Sequence, residues 1–208
     1  MNFAQVEIKS RQEWRDWLSA NLDQTESIWL VTYKKGRGPY VSYDEQVEEA
    51  LCFGWVDSRV AKLDADRTML LMSPRRPESA WSALNKSRIA KMQNAGLMHP
   101  RGQAMVDLAK QSGTWDKLNE VDALIEPTDL LAALDAVAYA KENWALMSPS
   151  SRRGILEWIL AAKRAETRKQ RIAATARLAG QGRKANFPAG RDAIAGAVGP
   201  QDSAHPEA

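Results

Sequence analysis

At 208 residues, with 44% hydrophobic and 26% charged side chains, the chain has the make-up of a folded globular protein, not a disordered or fibrous one. Its single cysteine, Cys52, excludes an internal disulfide, and with only His99 and His205 beside it no His/Cys zinc cluster can be assembled. No apolar run approaches the roughly 20 residues of a membrane-spanning helix, and the net charge of +3 hides two basic blocks, residues 75–101 and 152–184, on either side of an acidic stretch.

Ser10 is placed to cap a helix to about Leu22, with Trp14, Trp17 and Leu18 on one face. The β-branched and aromatic run SIWLVTYKK, residues 27–35, predicts a strand ending in the turn residues GRGP. Ser42 and Glu45 have the spacing of a capping box, ahead of a helix that buries Val47, Ala50 and Leu51 and stops at Gly54. WVDSRVAKL and RTMLLMS follow as two short strands around DAD. After Pro77 the pattern is helical, with helices expected at 78–95, 100–111, 128–147, 148–163 and 165–178. The fold class is therefore α+β: a small β-sheet with helices in the N-terminal part, followed by an all-helical C-terminal part. The expected divisions are 1–127 for the α+β domain, 128–182 for a helical module packed on it, and 183–208 for a flexible tail rich in Gly, Ala and Pro.

Chemistry concentrates in MSPRRPESAWSALNKSRIAKM, residues 72–92. Pro74 and Pro77 stiffen the backbone on both sides of Arg75–Arg76, which lowers the entropy lost when those side chains engage something negative. With the expected helix running through Trp81, its apolar stripe is shared by Leu84, Asn85, Arg88, Ile89 and Met92. A polar group there needs a partner, and an arginine there needs an acid or a bound anion. Asp57 is the internal acid, two residues after Trp55 on the same strand face. It either pairs with Arg88 or Arg75, joins Asn85 and an arginine around a ligand, or stays solvated. Lys34 ends the first strand and adds a cation to the same mouth.

A second constellation is LAAKRAETRKQRIAATARL, residues 160–178, where Arg168 shares the alanine-rich face and Lys169, Arg171 and Arg177 spread elsewhere. Small alanines suit close helix packing; the basic side could meet a phosphate backbone. No P-loop and no dinucleotide-binding glycine motif is present. His99 in MHPRG is placed for helix capping, and Cys52 reads as a buried, inert thiol.

Read together, WLVTYKKGRG, SYDEQVEEALCFGWVDSRVAKLD, SPRRPESAWSALNKSRIAKMQNAGLM and SSRRGILEWILAAKRAETRKQRI resemble the YdeI/OmpD-associated, or bacteriocin-protection, family of bacterial proteins, from about Ser27 to Gly182. The helices from about Ala133 resemble the family's small helical module, and the preceding segments resemble the α+β part that usually comes before it. Matching positions include Lys34, Glu49, Trp55, Asp57, Arg75, Arg76, Trp81, Asn85, Arg88, Lys163, Arg164, Glu166, Arg168 and Arg171. The resemblance implies a link to bacteriocin or antimicrobial-peptide tolerance and to an outer-membrane porin. The N-terminal sequence lacks the layout of a signal peptide, so a cytoplasmic stress-tolerance role is expected.

These readings converge on a non-enzymatic binding protein, with Lys34, Trp55, Asp57, Arg75, Arg76, Trp81, Asn85 and Arg88 around a small anionic or planar ligand. One alternative is nucleic-acid binding through Arg164, Arg168, Lys169 and Arg171. A further alternative is an enzyme with Asp57 as general base. No cofactor, metal or membrane span is expected.

Overall fold

The structure, a computed structural model, describes residues 3–199. The chain divides between Lys117 and Leu118 into two compact units.

The first unit is α+β. It contains β1 (Ala4–Glu7), α1 (Arg11–Ala20), β2 (Ile28–Tyr33), α2 (Tyr43–Cys52), β3 (Trp55–Lys62), β4 (Arg67–Pro74), α3 (Ala83–Asn94) and α4 (Pro100–Ser112). The four strands form one sheet in the order β1-β2-β4-β3. β1 lies parallel to β2 and the other pairings are antiparallel, with a register shift in β3 between Asp57 and Val60. β1 was not expected: AQVE is too short to show alternation, and it gains its place from pairing along β2. One sheet face carries Ile28, Leu30, Leu70, Met72 and Trp55 into the core, with Trp14 and Leu18 of α1, Val47 and Leu51 of α2, and Ile89 and Met92 of α3.

Local signals set the helix starts. The Ser10 hydroxyl accepts from the Glu13 N–H at 3.1 Å, and Ser42 and Glu45 close the expected capping box. α3 begins later than its sequence pattern suggested. Ser82 caps it, so Trp81 precedes the helix, and Leu84 lies 58% exposed instead of on a buried stripe. Arg88, Ile89 and Met92 remain the buried side. His99 caps α4 as expected, its Nδ1 accepting from the Arg101 N–H at 3.2 Å. A Cβ at Gly102 would stand 2.0 Å from the Cys52 carbonyl oxygen, so α4 reaches the end of α2 only with glycine there.

The second unit is helical, with α5 (Asn119–Asp122), α6 (Thr128–Asp135), α7 (Ala140–Leu146), α8 (Pro149–Leu160) and α9 (Ala165–Gly180). α9 packs against α6, α7 and α8 through Ile172, Ala176 and Ala179. The single helix expected at 128–147 is two helices, broken at Tyr139 with φ +62°. No glycine or proline marks this break. It lies where Val137 and the Ala138 carbonyl crowd Gly180, whose added Cβ would meet them at 2.7 and 2.9 Å. Close crossing by α9 overrides local helix propensity there. Residues 183–199, expected within a flexible tail, fold back: Arg183 bridges Ala193, and Ala185 and Ile194 are buried. The rest of the expected tail, with His205, lies outside the described residues.

Candidate functional site

The two arginines between the prolines take different roles. Arg75 turns inward and is 6% exposed. Its guanidinium lies 3.7 Å from the Trp81 ring centroid and donates to the carbonyls of Ser79 and Ala80. Burial pushes its pKa down to about 10, against the opposing pull of the Asp57 charge. Its Nε is buried without a hydrogen-bond partner. Arg76 is exposed and lines a recess of about 240 Å³ with Thr25, Ser27, Val56, Ser73, Pro74 and Ser79. Arg76 precedes Pro77, which keeps it out of helical backbone, and neighbouring residues of an extended chain project to opposite sides. The lining therefore offers one cation and four hydroxyls, and it contains no carboxylate. Ser27 and Ser73 are 2.7 Å apart, hydroxyl to hydroxyl, across β2 and β4.

A second cluster gathers Asp57, Asn85 and Arg88 around Tyr43. The Tyr43 hydroxyl donates to Asp57 Oδ2 at 2.5 Å, and burial and that carboxylate push its pKa up to about 12. Arg88 donates to Asn85 Oδ1 at 3.0 Å and to Asp44, and its guanidinium lies 5.5 Å from the Tyr43 ring centroid. Arg88 thus answers to Asp44 and Asn85, Arg75 answers to backbone carbonyls, and Asp57 is held by a phenol. Tyr43 and Asp44 carry no distinctive sequence signal, because a first-turn Tyr-Asp pair reads as ordinary helix-start composition.

Two expected wall residues belong to the core. Trp55 is 1% exposed and meets Trp14 and Trp17 edge-on at 6.4 and 5.7 Å, and Trp81 is equally buried, against Trp115 at 5.1 Å. Lys34 staples the β3–β4 turn by donating to the Asp64 and Ala65 carbonyls, both at 2.8 Å, and it lines a cavity other than the Arg76 recess. Cys52 is buried, and that burial pushes its thiol up to about 11.

A buried charge group on α2 was not expected from sequence. Glu48 and Glu49 are 3% and 2% exposed. Arg11 reaches Glu49 at 2.6 Å and Glu48 at 3.2 Å, Arg15 reaches Glu49 at 2.7 Å, and Lys91 reaches Glu48 at 2.5 Å. The available signal was the pair Arg11 and Arg15, one turn apart on α1. Among the described residues, no group of three or more His, Cys, Asp or Glu side chains could hold a metal ion.

In the helical unit, Arg168 clasps Asp129 with two bonds of 2.9 Å and holds its carboxyl below the usual carboxylate range. Arg171 donates to the Trp158 carbonyl and lies 4.9 Å from that ring's centroid. Lys169 and Arg164 are exposed. Two of the four basic residues considered for nucleic acid are thus engaged within the chain.

Two family models match the chain. Residues 6–105 match a domain of unknown function, DUF8412, and residues 123–182 match the family described as bacteriocin-protection, YdeI or OmpD-associated. The N-terminal segments, read from sequence as part of the same family, thus carry a model of their own. No curated protein and no solved structure matches the chain. The residues that match the bacteriocin-protection, YdeI or OmpD-associated family, 123–182, run from the end of α5 to just past α9, so the helical unit carries the likeness to that family.

Proposed function

We propose that the chain is a cytoplasmic, non-enzymatic binding protein serving tolerance of bacteriocins, antimicrobial peptides or related stress, and that a small anion docks at its Arg75–Arg76 loop. One observation carries the reading: Arg76 and the hydroxyl residues Thr25, Ser27, Ser73 and Ser79 surround one recess with no carboxylate among them. A guanidinium presents a planar fork of N–H donors that matches carboxylate and phosphate oxygens, and serine hydroxyls can donate to whatever oxygens remain. Behind it Arg75 is fixed by Trp81 and the Ser79 and Ala80 carbonyls, so the loop holds its shape before any ligand arrives. The family match over residues 123–182 supports the tolerance role, and a single, buried cysteine suits the cytoplasm.

Inorganic phosphate is a suitable probe. Titrated into the protein, it should shift the backbone resonances of Ser27, Ser73 and Ser79 saturably. Arg76→Glu should weaken that binding at least tenfold while leaving the melting temperature without phosphate unchanged. Shifts that never saturate, or that persist in Arg76→Glu, would remove the recess as a binding site.

A further inference from the structure

Asn143 on α7 is completely buried, yet its side chain serves a distant stretch of backbone. Its Nδ2 donates to the Ala179 carbonyl at 2.8 Å and to the Val198 carbonyl at 2.9 Å, and its Oδ1 accepts from the Val198 N–H at 2.7 Å. One carboxamide thus satisfies both polar backbone groups of a single residue, as a neighbouring strand would. The Val198 side chain is left 44% exposed, so the grip does not depend on it. The flanking positions are read by shape. A Cβ at Gly199 would come within 2.9 Å of the Tyr139 ring, and a Cβ at Gly182 would stand 2.8 Å from the Ala197 Cβ. The site therefore takes a small residue, then any residue, then glycine.

The segment held there starts where the family match stops, at residue 182. Its return is fixed by Lys184 N–H donating to the Asp192 carbonyl at 2.6 Å and Ile194 N–H donating to the Gly182 carbonyl at 2.8 Å. Arg183 Nε donates to the Asp192 carboxylate at 2.7 Å. Asn143 and Tyr139 lie inside the matched residues, whereas the occupant lies outside them.

We infer that Asn143 is the centre of a peptide-backbone-binding site in the family module, filled here by the chain's own Ala197–Gly199 segment. When that segment leaves, the site accepts an extended peptide of the same small-x-Gly chemistry. An emptied site leaves the Asn143 carboxamide short of two partners, the Val198 N–H and carbonyl, which favours refilling by a backbone of suitable shape.

The probe is a fluorescein-labelled peptide of residues 192–199, DAIAGAVG, and the protein is the full chain with Val198→Pro. That substitution removes the N–H that Asn143 accepts and leaves Asn143, Tyr139 and Gly182 intact. The Ala197 amide should exchange with solvent at least tenfold faster in this variant. The variant should bind the peptide saturably, and the unsubstituted chain at least tenfold more weakly, because its own segment competes. A peptide with proline in place of valine should also bind at least tenfold more weakly, and Asn143→Leu added to Val198→Pro should not bind. The two peptides are compared on one folded protein, so that comparison holds even where the Asn143→Leu variant fails to fold. Unchanged Ala197 exchange, release without peptide binding, or equal binding of both peptides would each overturn the assignment.

Discussion

Arg75 and Arg76 are adjacent in sequence but face different solvents, and their substitutions should behave accordingly. Arg75 combines a desolvated stacking contact with Trp81 and charge-assisted bonds to two carbonyls. Each kind of interaction contributes about 2 kcal/mol in such surroundings. Because its folded pKa is depressed, the unfolded chain holds the extra proton between about pH 10 and the ordinary arginine value. Burying the charge thus detracts from stability at neutral pH, a penalty relieved only as pH rises through that window. Packing and hydrogen bonding must offset it. Arg75→Ala should therefore lower unfolding stability by about 3 kcal/mol in urea titrations followed by tryptophan fluorescence, and Arg75→Lys should rescue little, since lysine lacks the planar fork. A loss no larger than that of Arg76→Ala would mean that the Trp81 stack is energetically idle. The importance of the pair was legible in the proline-flanked motif. Its division of labour was not, because the side each residue faces depends on how β4 ends and on where Ser82 starts α3.

Among the elements, α2 shows most clearly what sequence pattern reveals and what it hides. Ser42 and Glu45 announced the helix start because a capping box is local, and both halves of it form. Glu48 and Glu49 gave no such notice: adjacent glutamates on a helix usually face water, and their partners Arg11, Arg15 and Lys91 lie on two other helices, 34–43 residues away. The break at Tyr139 was hidden for the same reason, since its cause is the approach of Gly180 from α9. The buried charge group invites a test of sign as well as size. Glu49→Leu leaves two guanidiniums facing an apolar side chain, though both keep some contact with water. It should cost about 3 kcal/mol, at the low end for a broken buried pair. Adding Arg11→Met and Arg15→Met should recover part of that loss, because an apolar replacement removes the desolvation penalty along with the attraction, while buried Glu48 loses Arg11 and keeps Lys91. Thermal melts of the single and triple variants decide the matter: a triple variant less stable than Glu49→Leu would show that the ions support the fold more than their desolvation opposes it.

Across the whole molecule, both family matches fall within the two structural units, 6–105 in the first and 123–182 in the second, while the position of the joint depends on α5. Sequence pattern placed the joint near 127, since Pro127 and Thr128 announce a helix start and the four residues of α5 announce nothing. Contacts argue for a cut before Leu118. α5 lies against α8, Val121 is 6% exposed, and Asp122 accepts from Arg153 Nε at 2.7 Å. The first unit, by contrast, closes a core around Trp14, Trp55 and Trp81 from its own elements. A fragment of residues 1–117 should therefore keep a cooperative melt and the near-ultraviolet circular dichroism of its tryptophan cluster. The fragment 118–208 should likewise fold, with Trp144 and Trp158 as reporters. Removing α5 to give 128–208 strips the apolar cover from α8 and leaves the partly buried Arg153 with Glu157 alone, so that fragment should be less stable by about 2 kcal/mol. Equal stability of the two C-terminal fragments would move the joint to residue 127 and make α5 a linker.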